Sequence, residues 1–340
     1  MALASASGRL RILCYHGIWA APGPHFGDKL FMSPEKFEAR VQLMKRQRLE
    51  VLPMADALAR MRAGRLPQRA AVITMDDGWA STFSHMLPVL ERHGYPATVY
   101  IQTERLEAQA PVSDVALRYA VENARVPVLV LPDRYRDDDG EPRGPFPLED
   151  AVQRATAFLG LERRCAALPL GCQRGFLRDV FGALELDIDE LERSKAFDLA
   201  TDAALADAHR RGFEMALHTH THSLGDFSAE RIAAEISRNR VGLASMLGLA
   251  AESFRHFCWP SGDYTAEAMA CMEGLGIEVA TTCDFGLAHA GSPWLALPRI
   301  LDGQSVSDDA FMLAVSGVRS WMHAALARTP RLAAPVAKRG

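Results

Sequence analysis

The stretch AAVITMDDGWASTFSHMLPVLERHGYPATVYIQT, residues 70–103, predicts a strand, a helix and a second strand. Its first apolar run is typical of a buried strand and ends abruptly in Asp76, Asp77 and Gly78. The helical text that follows closes at Gly94, a residue type common just after helices, and the β-branched ATVYIQT favours another strand. This order of elements is the repeating unit of a parallel sheet.

The same alternation continues on both sides of this unit. Short apolar runs predict further strands, namely RLRILCYHGI from residue 9, FEMAL from 213, FRHFCWP from 254, IEVATTC from 277 and WLALPRI from 294. Helical patterns separate them, and residues 228–248 begin with a serine suited to cap a helix. We therefore predict an α/β fold, a barrel-like single domain over 9–328 with a helical insertion at 104–211, and a flexible basic tail at 329–340.

Composition narrows the classes of function. The 340 residues are 49% hydrophobic and 24% charged, and 38 basic against 42 acidic side chains leave a net charge of −4, so we expect no nucleic-acid partner. The six cysteines form no CxxC motif and suggest free thiols in a reducing compartment. Without a recognisable secretion signal or spanning segment, the cytoplasm is the expected location. Membrane association is expected, if at all, through the C-terminal helix around Trp321 and Met322.

Chemistry-bearing residues follow three of the predicted strands: Asp76 and Asp77, the histidine run 218–222, and Pro260 to Asp263. In α/β barrels the active site gathers at the carboxyl ends of the strands. Side chains alternate along a strand, so adjacent acids point in different directions, and one can bind a metal while the other acts as a base. An ordinary Asp-Gly turn with a helix cap is the alternative interpretation.

The segment ALHTHTHSLG, residues 216–225, has histidines at alternate positions. His218 and His222 can converge on one ion from a helix or a tight loop, while His218 and His220 share one side of a strand. Spacing alone leaves both pairs open, as well as a solvated loop that binds nothing. One carboxylate and two imidazoles with open positions is a known arrangement of catalytic metals.

Three blocks together resemble the signature motifs of polysaccharide deacetylases, the NodB-homology group or carbohydrate esterase family 4. They are TMDDGW at 74–79, HTHTH at 218–222 and FCWPSGDY at 257–264. CYHGI and LPRI are also similar to segments of members that process exopolysaccharides. The resemblance covers residues 11–299 apart from the insertion, and it implies an irregular (β/α) barrel.

Carried over position by position, the resemblance implies a role for each motif residue. Asp76 is the catalytic base, and Asp77, His218 and His222 hold a divalent ion, with Zn²⁺ the first choice. His220 falls on a variable position. The backbone N–H of Ser261 stabilises the oxyanion of the reaction, which yields acetate and a free amino sugar.

The sequence departs from the family's pattern at two places. Where many members have an arginine that orients the base, this chain has Cys258, and Arg255 and Arg299 are the candidates to replace it. The family's late histidine, its general acid, is missing. His16 and His289 are the candidates for that role, and a purely structural role for His16 is the alternative. The predicted substrate-binding residues are Trp79, Trp259, Pro260, Tyr264 and Arg299.

These features favour a metal-dependent deacetylase that removes N-acetyl groups from an amino sugar or glycan intermediate in polysaccharide biosynthesis. Two alternatives stay open. One is a metal-dependent hydrolase of a non-sugar amide or imide, and the other is a catalytically silent glycan-binding protein of the same fold. O-deacetylation is also open, because the same site can attack an ester.

Overall fold

A computed structural model describes residues 8–135 and 144–317. The strands are β1 (Arg9–Tyr15), β2 (Gly17–Ile18), β3 (Phe31–Met32), β4 (Glu50–Val51), β5 (Ala70–Met75), β6 (Thr98–Ile101), β7 (Val128–Leu129), β8 (Phe146–Pro147), β9 (Glu214–Leu217), β10 (His256–Cys258), β11 (Val279–Phe285), β12 (Ala288–His289) and β13 (Leu297–Leu301).

The α-helices are α1 (Pro34–Arg46), α2 (Met54–Arg62), α3 (Leu87–Arg92), α4 (Glu104–Glu107), α5 (Ser113–Glu122), α6 (Ala151–Ala166), α7 (Leu170–Ala183), α8 (Asp189–Arg193), α9 (Asp202–Arg210), α10 (Ala229–Leu247), α11 (Ala266–Gly274) and α12 (Asp308–Ser316). A π-helical turn, Thr82–Met86, leads into α3, and a 3₁₀ turn, Pro260–Gly262, follows β10. No helix of the described residues is long and apolar enough to cross a membrane.

Seven parallel strands close into a barrel in the order β1, β13, β11, β10, β9, β6 and β5. Closure comes from the pairing of β5 with β1, in a register that runs from Arg11 opposite Ala71 to Tyr15 opposite Met75. β4 extends the sheet beside β5, and β12 lies antiparallel to the start of β1. The predicted (β/α) barrel is confirmed.

One continuous apolar core joins the barrel to the helices of segment 104–211. Met75 and Val99 of the barrel belong to the same buried cluster as Leu117, Phe176 and Phe181 of those helices. The segment therefore packs as part of the domain. Within it, the chain after residue 187 forms two helices, α8 and α9, and in the link between them the Ala200 N–H donates a hydrogen bond to Gly78 O.

Helix ends follow local capping chemistry. The Ser228 side chain accepts a hydrogen bond from the Arg231 backbone at the start of α10, and the helix ends at Gly248 in a left-handed conformation, φ 67°. Near the C-terminal end of the described residues, α12 ends at Ser316 with Gly317 at φ 82°. The membrane-surface prediction for Trp321 and Met322 and the predicted tail lie outside the described residues.

Candidate active site

The carboxyl end of β5 places two acids at the rim of the barrel. The chain reverses there through Asp77 at φ 72° and Gly78 at φ 85°. A Cβ on Gly78 would lie 2.9 Å from Ile101 Cδ1, so the turn needs a glycine for space as well as for conformation. The turn sends the Asp76 and Asp77 side chains to different partners.

Asp77 meets two histidines from the loop after β9. Asp77 Oδ1 lies 3.3 Å from His218 Nε2 and 3.1 Å from His222 Nε2. Ligands bound tetrahedrally at about 2.0–2.1 Å from a Zn²⁺ ion stand about 3.3 Å from one another. The three atoms are therefore already at ligand spacing, and among the described residues they form a group able to hold a metal.

The protonation of these groups suits a metal ligand set. His218 Nδ1 lies 2.8 Å from the Cys258 carbonyl oxygen, which requires the proton on Nδ1 and leaves Nε2 free for an ion. Burial opposes ionisation of Asp77, but hydrogen bonds from both histidines outweigh it and hold its pKa well below the usual range. Burial lowers the pKa of His218, yet Asp77 and Asp76 raise it by more. Only His222, with 37% of its side chain exposed, opens to solvent.

Trp79 was predicted to bind substrate, which stays a prediction, because the residue borders the cleft that opens beside Asp77. Its ring is 1% exposed and packs edge-on against Phe31, with centroids 4.9 Å apart. Trp79 Nε1 donates a hydrogen bond of 2.9 Å to Asp77 Oδ2. The tryptophan therefore orients the carboxylate whose other oxygen faces the histidines.

Arg299 was predicted to bind substrate as well as being a candidate to replace the family's arginine. The structure excludes substrate contact, because the side chain is completely buried. It donates two hydrogen bonds of 2.7 Å to Asp76, one to each carboxylate oxygen. Burial opposes ionisation of Asp76, but the charge and hydrogen bonds of Arg299 prevail and lower the pKa of this carboxyl to about 2. Arg299 thus orients Asp76 from β13.

Two thiols also face Asp76. Cys14 Sγ and Cys258 Sγ each lie 3.6 Å from Asp76 Oδ2. Together with His16 and His218 they form two further groups whose donor types suit a metal. The Arg299 guanidinium already supplies the positive charge at Asp76, and burial raises the pKa of both thiols. The metal-binding group with Asp77 is therefore the better candidate.

Arg255, the other candidate to replace the family's arginine, lies elsewhere. Its exposed side chain forms an ion pair of 2.5 Å with Glu278. His289, a candidate general acid, pairs with Arg9 at the amino end of β1, on the opposite side of the barrel from Asp76. Neither residue can take part at the rim.

His16 follows β1 and belongs to the same rim. His16 Nε2 lies 3.9 Å from Asp76 Oδ2, and 18% of the side chain is exposed. Its Nδ1 atom is buried and has no hydrogen-bond partner within the described residues. The ring can therefore face both Asp76 and a bound molecule.

The third block contributes backbone more than side chains. Ser261 is exposed at φ 57°, and its N–H has no backbone acceptor within the described ranges. Trp259 and Pro260 were predicted to bind substrate, which is wrong, since both are buried and Trp259 Nε1 donates to Leu295 O at 2.8 Å. Tyr264 is partly exposed and donates to Asp284 Oδ2 at 2.7 Å, away from the histidines.

The histidine loop is held from below by residues that the sequence analysis missed. Buried Glu235 of α10 accepts from the backbone N–H groups of His220 and Thr221, at 2.9 and 2.8 Å. Buried Asn239 accepts from the His218 N–H at 2.9 Å and donates to Ile101 O. Their signal was available, because both are polar residues four apart on the apolar face of an amphipathic helix.

His220 points away from the candidate metal centre. Its Nδ1 atom lies 2.9 Å from the hydroxyl of Thr103, a buried residue after β6. The structure thus brings His218 and His222 together at Asp77, whereas His220 helps to hold the loop in place.

The rim opens into a cleft of about 300 Å³, lined by Asp77 and His222 on one side and by α5 and α6 on the other. A somewhat larger cavity, about 400 Å³, lies at the amino end of β9 and β10, beside Glu214 and His256. It contains none of the strand-end residues, so the smaller cleft is the candidate substrate site.

At the carboxyl ends of its strands this (β/α) barrel presents one carboxylate and two imidazoles, a donor set suited to a catalytic metal. The family model described as polysaccharide deacetylase matches residues 63–128 and 193–280 of this chain. Over these two segments, 154 of its 340 residues, the chain resembles the polysaccharide deacetylase family. The unmatched residues 129–192 lie inside the predicted insertion, and no curated protein matches the chain.

Solved structures of similar fold include three bacterial proteins. The deacetylase PplD of Streptococcus pyogenes, solved with acetate, has a TM-score of 0.58 and 16% identity, covering 90% of this chain and 98% of its own. A de-N-acetylase of Aggregatibacter actinomycetemcomitans has a TM-score of 0.54 and 15% identity, and the match covers 90% of this chain and 99% of the de-N-acetylase. The BpsB deacetylase domain of Bordetella bronchiseptica has a TM-score of 0.52 and 15% identity, and the match covers 88% of this chain and 97% of the BpsB domain. At these identities the likeness shows the fold.

Proposed function

We propose that this protein is a metal-dependent N-deacetylase acting on an amino sugar within a glycan, in the biosynthesis of an exopolysaccharide. The match to the polysaccharide deacetylase family model supports hydrolytic deacetylation of a carbohydrate. The observation that carries the finer proposal is the meeting of Asp77, His218 and His222 beside an Arg299-bound Asp76 at one rim. The expected cytoplasmic location stays a prediction, supported by the six free cysteines.

Asp77 Oδ1, His218 Nε2 and His222 Nε2 would hold a divalent ion, with Zn²⁺ the first choice from the donor set. When bound, the ion polarises the acetyl carbonyl and makes the attacking water more acidic. Trp79, the Cys258 carbonyl and the Glu235–Asn239 pair keep the three ligands in place.

Asp76 is the base that takes a proton from the attacking water. Its pKa of about 2 keeps it ionised at neutral pH, and the two hydrogen bonds from Arg299 aim it. The Ser261 N–H stabilises the negative charge that develops on the acetyl oxygen. The carbon–nitrogen bond then breaks, and His16 protonates the departing amine. With Asp76 Oδ2 only 3.9 Å away, His16 can recover the proton that Asp76 took.

The first experiment combines metal analysis with acetate release. We expect about one divalent ion per chain, lost in His218→Ala and His222→Ala and kept in the matched control His220→Ala, whose ring faces Thr103. Acetate release from N-acetylglucosamine oligosaccharides should stop with a chelator and return with Zn²⁺. Asp76→Asn should keep the ion and lose at least about a hundredfold in kcat.

Three results would contradict the proposal. If only His220→Ala lost the ion, the assignment of His218 and His222 as ligands would be wrong. Glycan binding without turnover at saturating metal would favour a silent binding protein. Turnover of cyclic imides or O-acetyl esters, with none of N-acetylated sugars, would change the substrate class.

A further inference from the structure

The cleft beside the candidate metal centre is built jointly by the barrel and the insertion. Asp77 and His222 form its inner end, and the first turn of α5 and the last turns of α6 form its outer wall. A molecule that reacts at Asp77 and extends along the cleft therefore contacts α5 and α6.

Most polar side chains that line this cleft already have partners. Arg105 and Ser113 both donate to Gln173 Oε1, at 2.8 and 3.0 Å. Thr221 donates to Glu235 at 3.0 Å, and Trp79 donates to Asp77. These groups are held by the protein and contribute shape more than recognition.

Three lining side chains differ in this respect. The Gln102 residue, directly after β6, is 3% exposed, and its amide makes no hydrogen bond within the described part of the chain. Asp114 of α5 and Glu162 of α6 make no ion pair or hydrogen bond there either. The amide is not among the completely buried polar atoms that lack a partner, so the small exposed part of Gln102 includes its amide, on the wall of a cleft where a ligand can bind it.

We propose that this cleft is a subsite for a sugar that neighbours the reacting one and carries a free amino group. The Gln102 amide hydrogen-bonds the hydroxyl or acetamido groups of the sugar chain. Asp114 and Glu162 pair with the ammonium. This inference rests on the proposed function and adds to it a substrate class, the partly deacetylated glycan.

The charges of the cleft favour a cation over a neutral or anionic group. Two unpaired carboxylates would repel phosphate or uronic acid groups, and Arg105, the arginine among the lining residues, is held by Gln173 and by Pro111 O. Hydrolysis of each N-acetyl group adds water across the carbon–nitrogen bond and releases acetate, leaving an ammonium on the sugar. A glycan acted on more than once therefore presents such a group next to its remaining N-acetyl groups.

The test measures binding, so that it does not depend on turnover. Dissociation constants are measured by calorimetry at mildly acid pH for glucosamine tetrasaccharide and for the same tetrasaccharide fully N-acetylated. All proteins carry Asp76→Asn and Zn²⁺, because this variant should keep the ion without turning the substrate over. We expect the wild-type cleft in this background to prefer the amine form. Asp114→Asn and Glu162→Gln should each reduce that preference about fivefold, because each removes one partly exposed charge pair with the ammonium. The preference should also fall as salt rises above about 0.15 M.

The control variant is Glu230→Gln, which removes an exposed acid from the first turn of α10, outside the cleft. Its preference should equal that of the wild type. Gln102→Leu keeps the approximate volume and removes the amide. It should therefore weaken the binding of both tetrasaccharides without changing the preference between them.

Equal affinity of the wild-type cleft for the two tetrasaccharides would overturn the inference, and so would an equal loss of preference in Glu230→Gln. If the protein with Asp76 releases acetate from N-acetylated oligosaccharides in either case, the proposed function survives while the subsite fails. If neither tetrasaccharide binds and no acetate is released, both fail together.

Discussion

A buried ion pair dominates the chemistry at the scale of single residues. Arg299 is completely buried and Asp76 keeps 4% of its side chain exposed, and each donor of the guanidinium fork that faces the carboxylate is used. Removing one partner of such a pair leaves an unpaired charge in the interior, which costs far more than the pair itself contributes. The arrangement keeps the base ionised and fixed in direction.

We predict that Arg299→Met lowers the free energy of unfolding at neutral pH by about 3–5 kcal/mol. It should also reverse the pH dependence due to Asp76. In the wild type the folded pKa of about 2 lies below the ordinary 3.8, so this contribution to stability is complete above about pH 4 and is lost as pH falls through about 2. Without Arg299, burial raises the pKa of Asp76 and is opposed only by the weaker effects of His16 and His218, so stability should fall as pH rises.

Urea unfolding between mildly acid and neutral pH checks this prediction. The control is Arg255→Met, which breaks the exposed pair with Glu278 and should cost less than about 1 kcal/mol at every pH. If Arg299→Met were no more destabilising than Arg255→Met, the buried pair would not have the role assigned to it.

At the scale of elements, several turns at the barrel rim adopt unfavourable backbone conformations. Asp77, Thr219, His222 and Ser261 all have φ between 57° and 72°. Left-handed conformations are uncommon outside glycine, and they persist where surrounding contacts impose them, often at functional sites. For the histidine loop those contacts come from α10, whose Glu235 and Asn239 bind three backbone N–H groups of the loop.

We predict that α10 controls metal affinity although none of its residues faces the ion. Glu235→Gln replaces a doubly accepting carboxylate oxygen with a group that cannot satisfy the same N–H groups equally well. Its dissociation constant for Zn²⁺ should rise about tenfold to a hundredfold, as is usual for residues that support ligands. Competition with a chromophoric chelator measures this constant.

Arg238→Ala is the control, because Arg238 of α10 is exposed and, among the residues that the structure describes, makes no hydrogen bond or ion pair with the histidine loop. It should leave the dissociation constant unchanged. An unaltered Zn²⁺ affinity in Glu235→Gln would show that the loop holds its shape without the helix.

At the scale of the whole molecule, the barrel and the insertion share one apolar core, and the six cysteines differ in how deeply they are buried. Cys14, Cys165 and Cys258 are buried, Cys271 and Cys283 are partly exposed, and Cys172 is exposed on α7. Burial raises the pKa of the three buried thiols, so each lacks both access and reactive thiolate.

We predict that a thiol reagent modifies Cys172 rapidly and the three buried cysteines only when the domain unfolds. Because the insertion shares the core, Cys165 in α6 should react at the same slow rate as Cys14 in β1. Mass spectrometry of peptides after timed labelling measures the rates. Cys172→Ser should remove the fast phase alone, and earlier reaction of Cys165 than of Cys14 would show that the insertion opens independently.

The local pattern of the sequence was enough for the barrel and for the rim residues Asp76, Asp77, His218 and His222. Strand ends are visible as apolar runs that stop at polar residues, and parallel strands bring their carboxyl ends to one rim whatever their order. The choice among the three histidines came from the family resemblance, since spacing left two pairs open.

The tertiary structure alone decided what each side chain faces. Arg299 meets Asp76 across 223 residues of sequence because β13 and β5 both border β1 in the closed barrel. Trp79 and Trp259 turned out to be buried, and Gln102 came to line the cleft, for the same reason. A sequence pattern shows that a residue follows a strand, but packing against distant elements determines whether its side chain points into the core or into the site.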